Sequence, residues 1–337
     1  VFDVQRRFID YAAEMGWNYT LIDAGWDVQI GRERIPALVA HGAARGVGVL
    51  LWYNSAGSWN ETPLTPRDLM TERASRRAEF AWLRDIGVKG VKVDFFGGDG
   101  QSVIRYYLDI LQDAAEFGLL VNFHGSTLPR GWQRSWPHLM TMEAVKGLEF
   151  TTFGQPDQDA VASHAAMLPF ARNLFDPMDF TPLVFGDIPG IARRTRNGFE
   201  LAEAVLFTSG IQHYAEVPTG MASVPEAARL TLRALPRSWD ETRFITGVPG
   251  QHVVLARRSG SRWHVAGLNA GKQPLTLTLD LGFLAGQTGR MISDGRGPRE
   301  LAQGRLAASR QTRVRLAAHG GFVAVFDSGQ AAKDGAH

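Results

Sequence analysis

Along the first two thirds of the chain, apolar positions switch repeatedly between a helical period and short alternating or continuous runs, which predicts helices and strands in alternation. Phe8, Tyr11, Ala12 and Met15 fall at helical spacing and predict a helix over 1–16, followed by a short strand over 19–23. Helices over 36–45, 72–86 and 102–117 lead to strands over 47–54, 89–94 and 119–124, and 139–143 reads as a further strand. Beyond it the pattern predicts helices over 160–170, 198–209 and 225–234, with strands over 182–185 and 211–215. Strand and helix repeating in this order predict an α/β fold with a parallel sheet, and this many units predict a (β/α)8 TIM barrel. A helix comes first, so the first barrel strand is expected to be missing, with apolar surface bare over 1–11. A doubly wound sheet fits less well, because no glycine-rich dinucleotide turn follows an early strand.

After Trp239-Asp240-Glu241 the texture changes. Alternating runs over 252–257, 263–269, 275–281 and 322–326, separated by glycine turns, predict a small antiparallel β-sandwich. The expected division is a barrel over 1–237, a carboxy-terminal β-domain over 238–330 that braces it, and a disordered tail over 331–337.

The stretch VKVDFFGGDG, 91–100, carries the chemistry. Side chains alternate along a strand, so Val91 and Val93 share one face while Lys92 and Asp94 share the other. In a parallel barrel the outward face packs on helices, and the inward face near the carboxyl end lines the active site. Asp94 alone could merely cap the turn Gly97-Gly98-Asp99-Gly100. Yet Asp23, Asn54, Asp94, His124 and Glu143 each close a strand, and five polar strand ends in phase read as an active-site floor. Asn122 shares the face of His124 and extends it, and Glu149 follows six residues after Glu143. Trp26, Trp52, Trp59, Trp132 and Trp136 lie on or beside the same loops. An aromatic rim over convergent carboxylates suits a sugar, whose C–H faces stack on rings while its hydroxyls meet charged groups.

Composition narrows the classes. With 337 residues, 21% of them charged, a formal net charge of +2 and no basic run, nucleic-acid binding is not expected. The absence of cysteine excludes disulfides, thiol catalysis and a zinc-thiolate site. No apolar run approaches the roughly 18 residues of a membrane span. There is no signal-peptide pattern, although a thiol-free chain is compatible with an exported or periplasmic bacterial protein.

Four segments together resemble glycoside hydrolase family 97: VKVDFFGGDGQSVIRYY, VNFHGSTLPRGWQRSWPHLMTMEAVKGLE, MLPFARNLFDPMDFTP and SWDETR. The resemblance implies a bacterial α-glycosidase with a calcium-associated active site, built from an amino-terminal β-sandwich, a barrel and a carboxy-terminal β-domain. This chain matches the last two, so the complete protein is expected to carry the first. In the family's retaining branch, typified by α-galactosidase, an aspartate ends the fourth barrel strand, where Asp94 stands. The inverting α-glucosidase branch has instead a glutamate after the fifth-strand histidine, where this chain has Gly125. The resemblance thus implies a retaining enzyme, with Asp94 as nucleophile, Glu149 as general acid/base, and Glu143 and Glu149 as calcium ligands. Substrate contacts are expected from Asp23, Trp26, Asn54, Lys92 and His124.

Such an enzyme would cleave terminal α-galactosides of α-linked oligosaccharides through a covalent glycosyl-enzyme, Asp94 attacking the anomeric carbon while Glu149 protonates the leaving oxygen. The alternatives are an α-glucosidase of the same family, a catalytically silent barrel that binds sugar, and a metal-dependent aldolase or isomerase using Asp94 and Glu143 as ligands.

Overall fold

The computed structural model describes residues 1–57 and 61–327. Its two faces divide as the alternation at 91–94 requires. In the first of two compact units, Val1–Val145 with Pro177–Asp179, the elements are α1 (Phe2–Glu14), β1 (Tyr19–Ile22), α2 (Trp26–Gln29), α3 (Ile35–Ala43), β2 (Gly48–Asn54), α4 (Arg73–Ile86), β3 (Gly90–Asp94), α5 (Gln101–Glu116), β4 (Leu120–Phe123) and β5 (Leu139–Met142). The five strands form one parallel sheet in chain order.

Leu51, Tyr53, Val91, Val93, Val121 and Phe123 join Phe80, Leu83, Tyr107, Ile110 and Leu111 of α4 and α5 in a single apolar core. A buried ion pair between Arg76 and Asp113, 2.6 Å, ties those two helices together. The opposite strand face is polar. Parallel register sets Trp52 beside Lys92 and Lys92 beside Asn122, and one step further Asn54 beside Asp94. The bare apolar surface expected over 1–11 is largely absent: Ile9, Tyr11 and Ala12 are buried, and the exposed large apolar side chains there are Val1 and Val4.

The second unit comprises Lys146–Asp176 and the described chain from Phe180 on. It holds α6 (Gln155–Met167), α7 (Arg172–Phe175), α8 (Asn197–Leu206), α9 (Pro218–Ala222), α10 (Glu226–Arg233) and eight strands: β6 (Glu241–Val248), β7 (His252–Ser259), β8 (Arg262–Asn269), β9 (Leu275–Leu279), β10 (Thr288–Asp294), β11 (Leu301–Ala307), β12 (Thr312–Leu316) and β13 (Gly321–Asp327). Six of them form an antiparallel sheet ordered β11-β10-β13-β8-β7-β6, and β12 pairs with β9. Val254, Val265 and Phe322 of the larger sheet pack with Leu279, Val314 and Leu316 of the smaller, the interior of a β-sandwich. The fold class is therefore a parallel strand–helix barrel followed by an antiparallel β-sandwich.

Two strand expectations fail here. Residues 182–185 and 211–215 carry no ladder. Thr181 at φ +58 and Leu183 at φ +76 turn the chain out of the extended region, and Pro182 has no N–H to give. Carboxylates satisfy the backbone instead: Glu200 accepts from Val184 N–H at 3.0 Å, and Glu216 from Phe185 and Gly186 N–H at 2.6 and 3.0 Å.

By packing, the compact units divide the chain at 145/146. Every residue of α8 is buried, and the helix lies on β8 and β13. A Cβ at Gly198 would stand 2.4 Å from the Gly321 carbonyl oxygen, so this close approach requires glycine. The expected tail over 331–337 lies outside the described residues. Among the described residues no helix is long and apolar enough to cross a membrane.

His264 on β8 is buried edge-on to Trp239, with ring centroids 5.1 Å apart, and its Nδ1 has no hydrogen-bond partner among the described residues. Burial, with Arg262 nearby, pulls its pKa down to about 4. The unfolded chain therefore binds a proton that the folded chain refuses, and stability is lost as pH falls from the unfolded value toward 4. The loss from this group between pH 7 and pH 5 should be about 2 kcal/mol. Urea unfolding of His264→Leu across that range should be correspondingly flatter, and parallel losses in parent and variant would show that His264 is not held neutral.

Candidate active site

β3 ends on Asp94, and the chain leaves through Phe95 at φ +67. That left-handed exit, which costs a non-glycine residue about 1 kcal/mol, turns the Phe95 N–H back onto Asp94 Oδ1 at 2.8 Å. The other oxygen, Oδ2, accepts the indole N–H of Trp52 at 3.0 Å. Asp94 is thus held at both oxygens, which fixes its orientation at the strand end. The same left-handed exit follows His124 at Gly125 and Glu143 at Ala144.

Lys92, two residues before Asp94 on the same face, is buried. Its Nζ lies 3.0 Å from Asp23 Oδ2 and 3.8 Å from Asp94 Oδ2. Burial pulls the ammonium's pKa down, but Asp23 and Asp94 outweigh it and hold the group above its ordinary value. A buried ammonium therefore stands beside Asp94.

His124 is buried between two acids, with Nε2 2.7 Å from Asp179 Oδ2 and Nδ1 3.6 Å from Glu143 Oε1. Burial and Lys92 pull its pKa down, yet the hydrogen bond to Asp179 and the charges of Asp179 and Glu143 carry it above the ordinary value. Asp179 Oδ2 also accepts from Asn122 Nδ2 at 2.6 Å. Asn122 Oδ1 is left buried without a hydrogen-bond partner among the described residues. An orphaned buried acceptor costs about 1–3 kcal/mol, which a substrate hydroxyl would recover.

The structure gathers Asp23 and Asp94 around Lys92, and Glu143 beside His124. It adds Asp179 and a direct role for Trp52. Asp179 escaped the sequence reading because no strand pattern precedes it; an acid among the apolar residues of Met178-Asp179-Phe180 was the available signal.

Other expected contacts are corrected. Trp26 is buried, stacks on Trp82 at 6.2 Å and donates its indole N–H to the Trp52 carbonyl at 2.8 Å, so it is core and not a sugar platform. Asn54 spends its side chain on the following loop, donating to Leu64 O at 3.1 Å and accepting from Ala56 N–H at 2.9 Å. Trp132 and Trp136 are partly buried against the apolar core; Trp59 lies outside the described residues. Glu149 belongs to the second unit, where it is exposed in a short 3-10 helix, Leu148–Thr152.

Gly125 leaves little room for a side chain. At φ +50, a Cβ there would stand 2.8 Å from Phe95 N, 2.9 Å from Phe95 Cα and 3.2 Å from Asp94 Oδ1. The glutamate of the inverting branch could not stand at 125 unless the turn that positions Asp94 moved.

Calcium takes six to eight oxygen ligands. Among the described residues no three histidine or acidic side chains gather as a metal site. Glu143 Oε2 accepts the Gly125 N–H at 2.8 Å, and its other oxygen faces His124. The described residues do not by themselves fit a calcium shell.

A parallel strand–helix sheet whose carboxyl ends carry interlocked acids, a lysine and a histidine is the layout of the barrel glycoside hydrolases. The chain belongs to glycoside hydrolase family 97. Residues 2–145 match the family model described as Glycoside hydrolase 97, and residues 238–327 match Glycosyl-hydrolase 97 C-terminal, oligomerisation. Over 283 residues it is 41% identical to a Streptomyces bingchenggensis protein named "Probable retaining alpha-galactosidase", the match taking in 80% of this chain and 41% of that one. Over 280 residues it is 28% identical to the "Retaining alpha-galactosidase" of Bacteroides thetaiotaomicron, covering 78% of this chain and 40% of that one. The chain thus spans about two fifths of the length of these relatives. Among solved structures, one titled "Crystal structure of beta-arabinopyranosidase" superposes with a TM-score of 0.92 at 40% identity, covering 96% of this chain and 53% of that one. A family 97 enzyme from Pseudoalteromonas sp. strain K8 in complex with panose shares the fold, with a TM-score of 0.80 at 23% identity, over 96% of this chain and 56% of that one.

Two outcomes follow from this geometry. Gly125→Ala should cost about 2 kcal/mol of stability through left-handed strain and contact with Phe95. Adding Asp94→Gly should restore little of it, because the nearer obstacle is backbone; a parental melting temperature for the single variant would contradict the steric account. Calcium at millimolar concentration should raise the melting temperature of this chain by no more than about 2 °C over chelator-treated protein. A larger rise would reveal an ion shell that the described side chains do not form.

Proposed function

We propose that the complete protein is a retaining α-glycosidase acting on terminal α-galactosides, with Asp94 as nucleophile and Glu149 as general acid/base. The observation that carries the reading is the Asp94 carboxylate, held at the end of β3 by Trp52 and Phe95 beside the buried Lys92. A nucleophile must be aimed, and the hydrogen bonds from Trp52 and Phe95 hold this carboxylate in one orientation. Gly125 supports the same mechanism, since no side chain there could serve as an alternative base.

In this reading Asp94 attacks the anomeric carbon while Glu149 gives a proton to the leaving oxygen; Glu149 then takes a proton from the water that releases the sugar. Asp23 and Asn122 offer hydroxyl contacts from the floor.

The galactoside choice is supported by the names of the two curated relatives. The solved structure titled as a β-arabinopyranosidase favours a second reading. β-L-Arabinopyranose has the ring configuration of α-D-galactopyranose and lacks only C6, so the two readings share a ring and differ in the room left at one carbon.

Initial rates on the nitrophenyl α-D-galactopyranoside, β-L-arabinopyranoside and α-D-glucopyranoside should place the galactoside first and the glucoside last. Asp94→Gly should lose at least about 10⁴-fold in turnover. With azide it should yield the glycosyl azide of inverted configuration, whereas Glu149→Ala with azide should yield the retained one, read by proton NMR. Release of the β-anomer of galactose as first product by the unmodified protein would overturn the retaining mechanism. Absence of turnover on every glycoside would favour a silent sugar-binding barrel.

A further inference from the structure

A cleft of about 650 Å³ lies between the loops after β2 and β3 and the first turns of α5. Neither Asp94 nor any other member of the catalytic floor lines it. Its volume falls within the ~300–1,000 Å³ range of small-molecule sites. One wall is aromatic, formed by Phe96 and Tyr106 with ring centroids 5.6 Å apart and planes tilted by 53°. Phe96 is locked from behind, stacked on Tyr107 at 4.0 Å and edge-on to Phe123 at 5.2 Å. Tyr106 is fixed by its hydroxyl, which donates to the Ser55 carbonyl at 2.7 Å.

Facing these rings along α5 are Gln101, Ser102, Arg105 and Asp109. None of the four makes a side-chain hydrogen bond or ion pair among the described residues. Arg105 and Asp109 are opposite charges one helical turn apart, the spacing at which such pairs usually close, yet they stay separate on the cleft wall. The cleft therefore offers rigid ring surface together with unspent donors and acceptors of both signs. A ligand with a net charge would meet one repelling partner, and a purely apolar one would strand the polar groups. A neutral polyhydroxylated ring satisfies all of them, its C–H face on the aromatics and its hydroxyls on the amide, guanidinium and carboxylate.

We propose that this cleft is a second, non-catalytic carbohydrate site that takes a neutral mono- or disaccharide. It is joined to the nucleophile by a short backbone path. Tyr106 holds the Ser55 carbonyl, and the Ser55 N–H donates to the Asp94 carbonyl at 2.8 Å. A sugar bound there would brace the strand end that carries Asp94.

The test uses the complete protein with Asp94→Asn to suppress turnover, labelled at valine methyls and tryptophan indoles, and titrated with melibiose. Val103 lines the cleft and reports on it, while the Trp52 indole reports on the catalytic floor. Melibiose should shift the Val103 methyls saturably with a Kd of about 1–10 mM, a modest affinity. Gln101→Ala combined with Arg105→Ala should weaken that response at least about tenfold, with a melting temperature within about 2 °C of the parent. Movement of the Trp52 indole without Val103, or an equal response of Val103 to glycerol, overturns the second site and leaves the glycosidase reading standing. A saturable Val103 response in a protein that, with Asp94 intact, turns over no glycoside supports the second site and sinks the glycosidase reading instead.

Discussion

A buried ammonium must be matched by negative charge, and at Lys92 that requirement organises the first unit. Removing a charge from water costs several kcal/mol unless partners compensate, and Lys92 finds them in Asp23 at 3.0 Å and Asp94 at 3.8 Å. Asp23 can meet it only if β1, β2 and β3 keep their parallel register, because a slip of one residue would turn Lys92 into the helix-side core. The pairing of Trp52 with Lys92 and of Asn54 with Asp94 is that register. The charge that would poise Asp94 for chemistry is thus the same charge that specifies how the sheet is assembled.

A second constraint is steric and lies one residue beyond the strand ends. Phe95, Gly125 and Ala144 all have positive φ, and each follows a polar group of the floor. At Phe95 the left-handed turn is offset by the N–H bond to Asp94, and the space that the turn needs is space that a side chain at 125 would fill. An absent side chain and a present carboxylate are therefore two aspects of one packing solution.

The second unit meets a different demand by related means. Around 181–186 the chain abandons the extended conformation, and the buried Glu200 and Glu216 accept the backbone N–H groups that a ladder would have taken. Burial of donors in either form obeys the same accounting, since an unpaired N–H inside a protein is costly.

What the sequence determined by itself was local and periodic. The alternation Val91-Lys92-Val93-Asp94 was enough to assign the two faces of β3, and polar residues closing successive strands were enough to locate Asp23, Asp94, His124 and Glu143, because side-chain direction along a strand has a fixed period of two. The boundary between α/β and antiparallel texture was legible for the same reason. What only the tertiary structure decided was which polar groups were already spent and which distant ones arrived. Asn54 and Trp26 have the right chemistry at the right strand ends, yet one is consumed by its own loop and the other by Trp52 and Trp82. Asp179 has no strand pattern before it, yet it reaches Asn122 and His124 across 57 and 55 residues of chain. The strand expected over 182–185 failed where Thr181 and Leu183 take positive φ and buried carboxylates from elsewhere in the fold accept the N–H groups of Val184 and Phe185. Periodicity reports where a side chain points; what it meets there depends on contacts between residues far apart in the chain, and those exist only after the chain has folded.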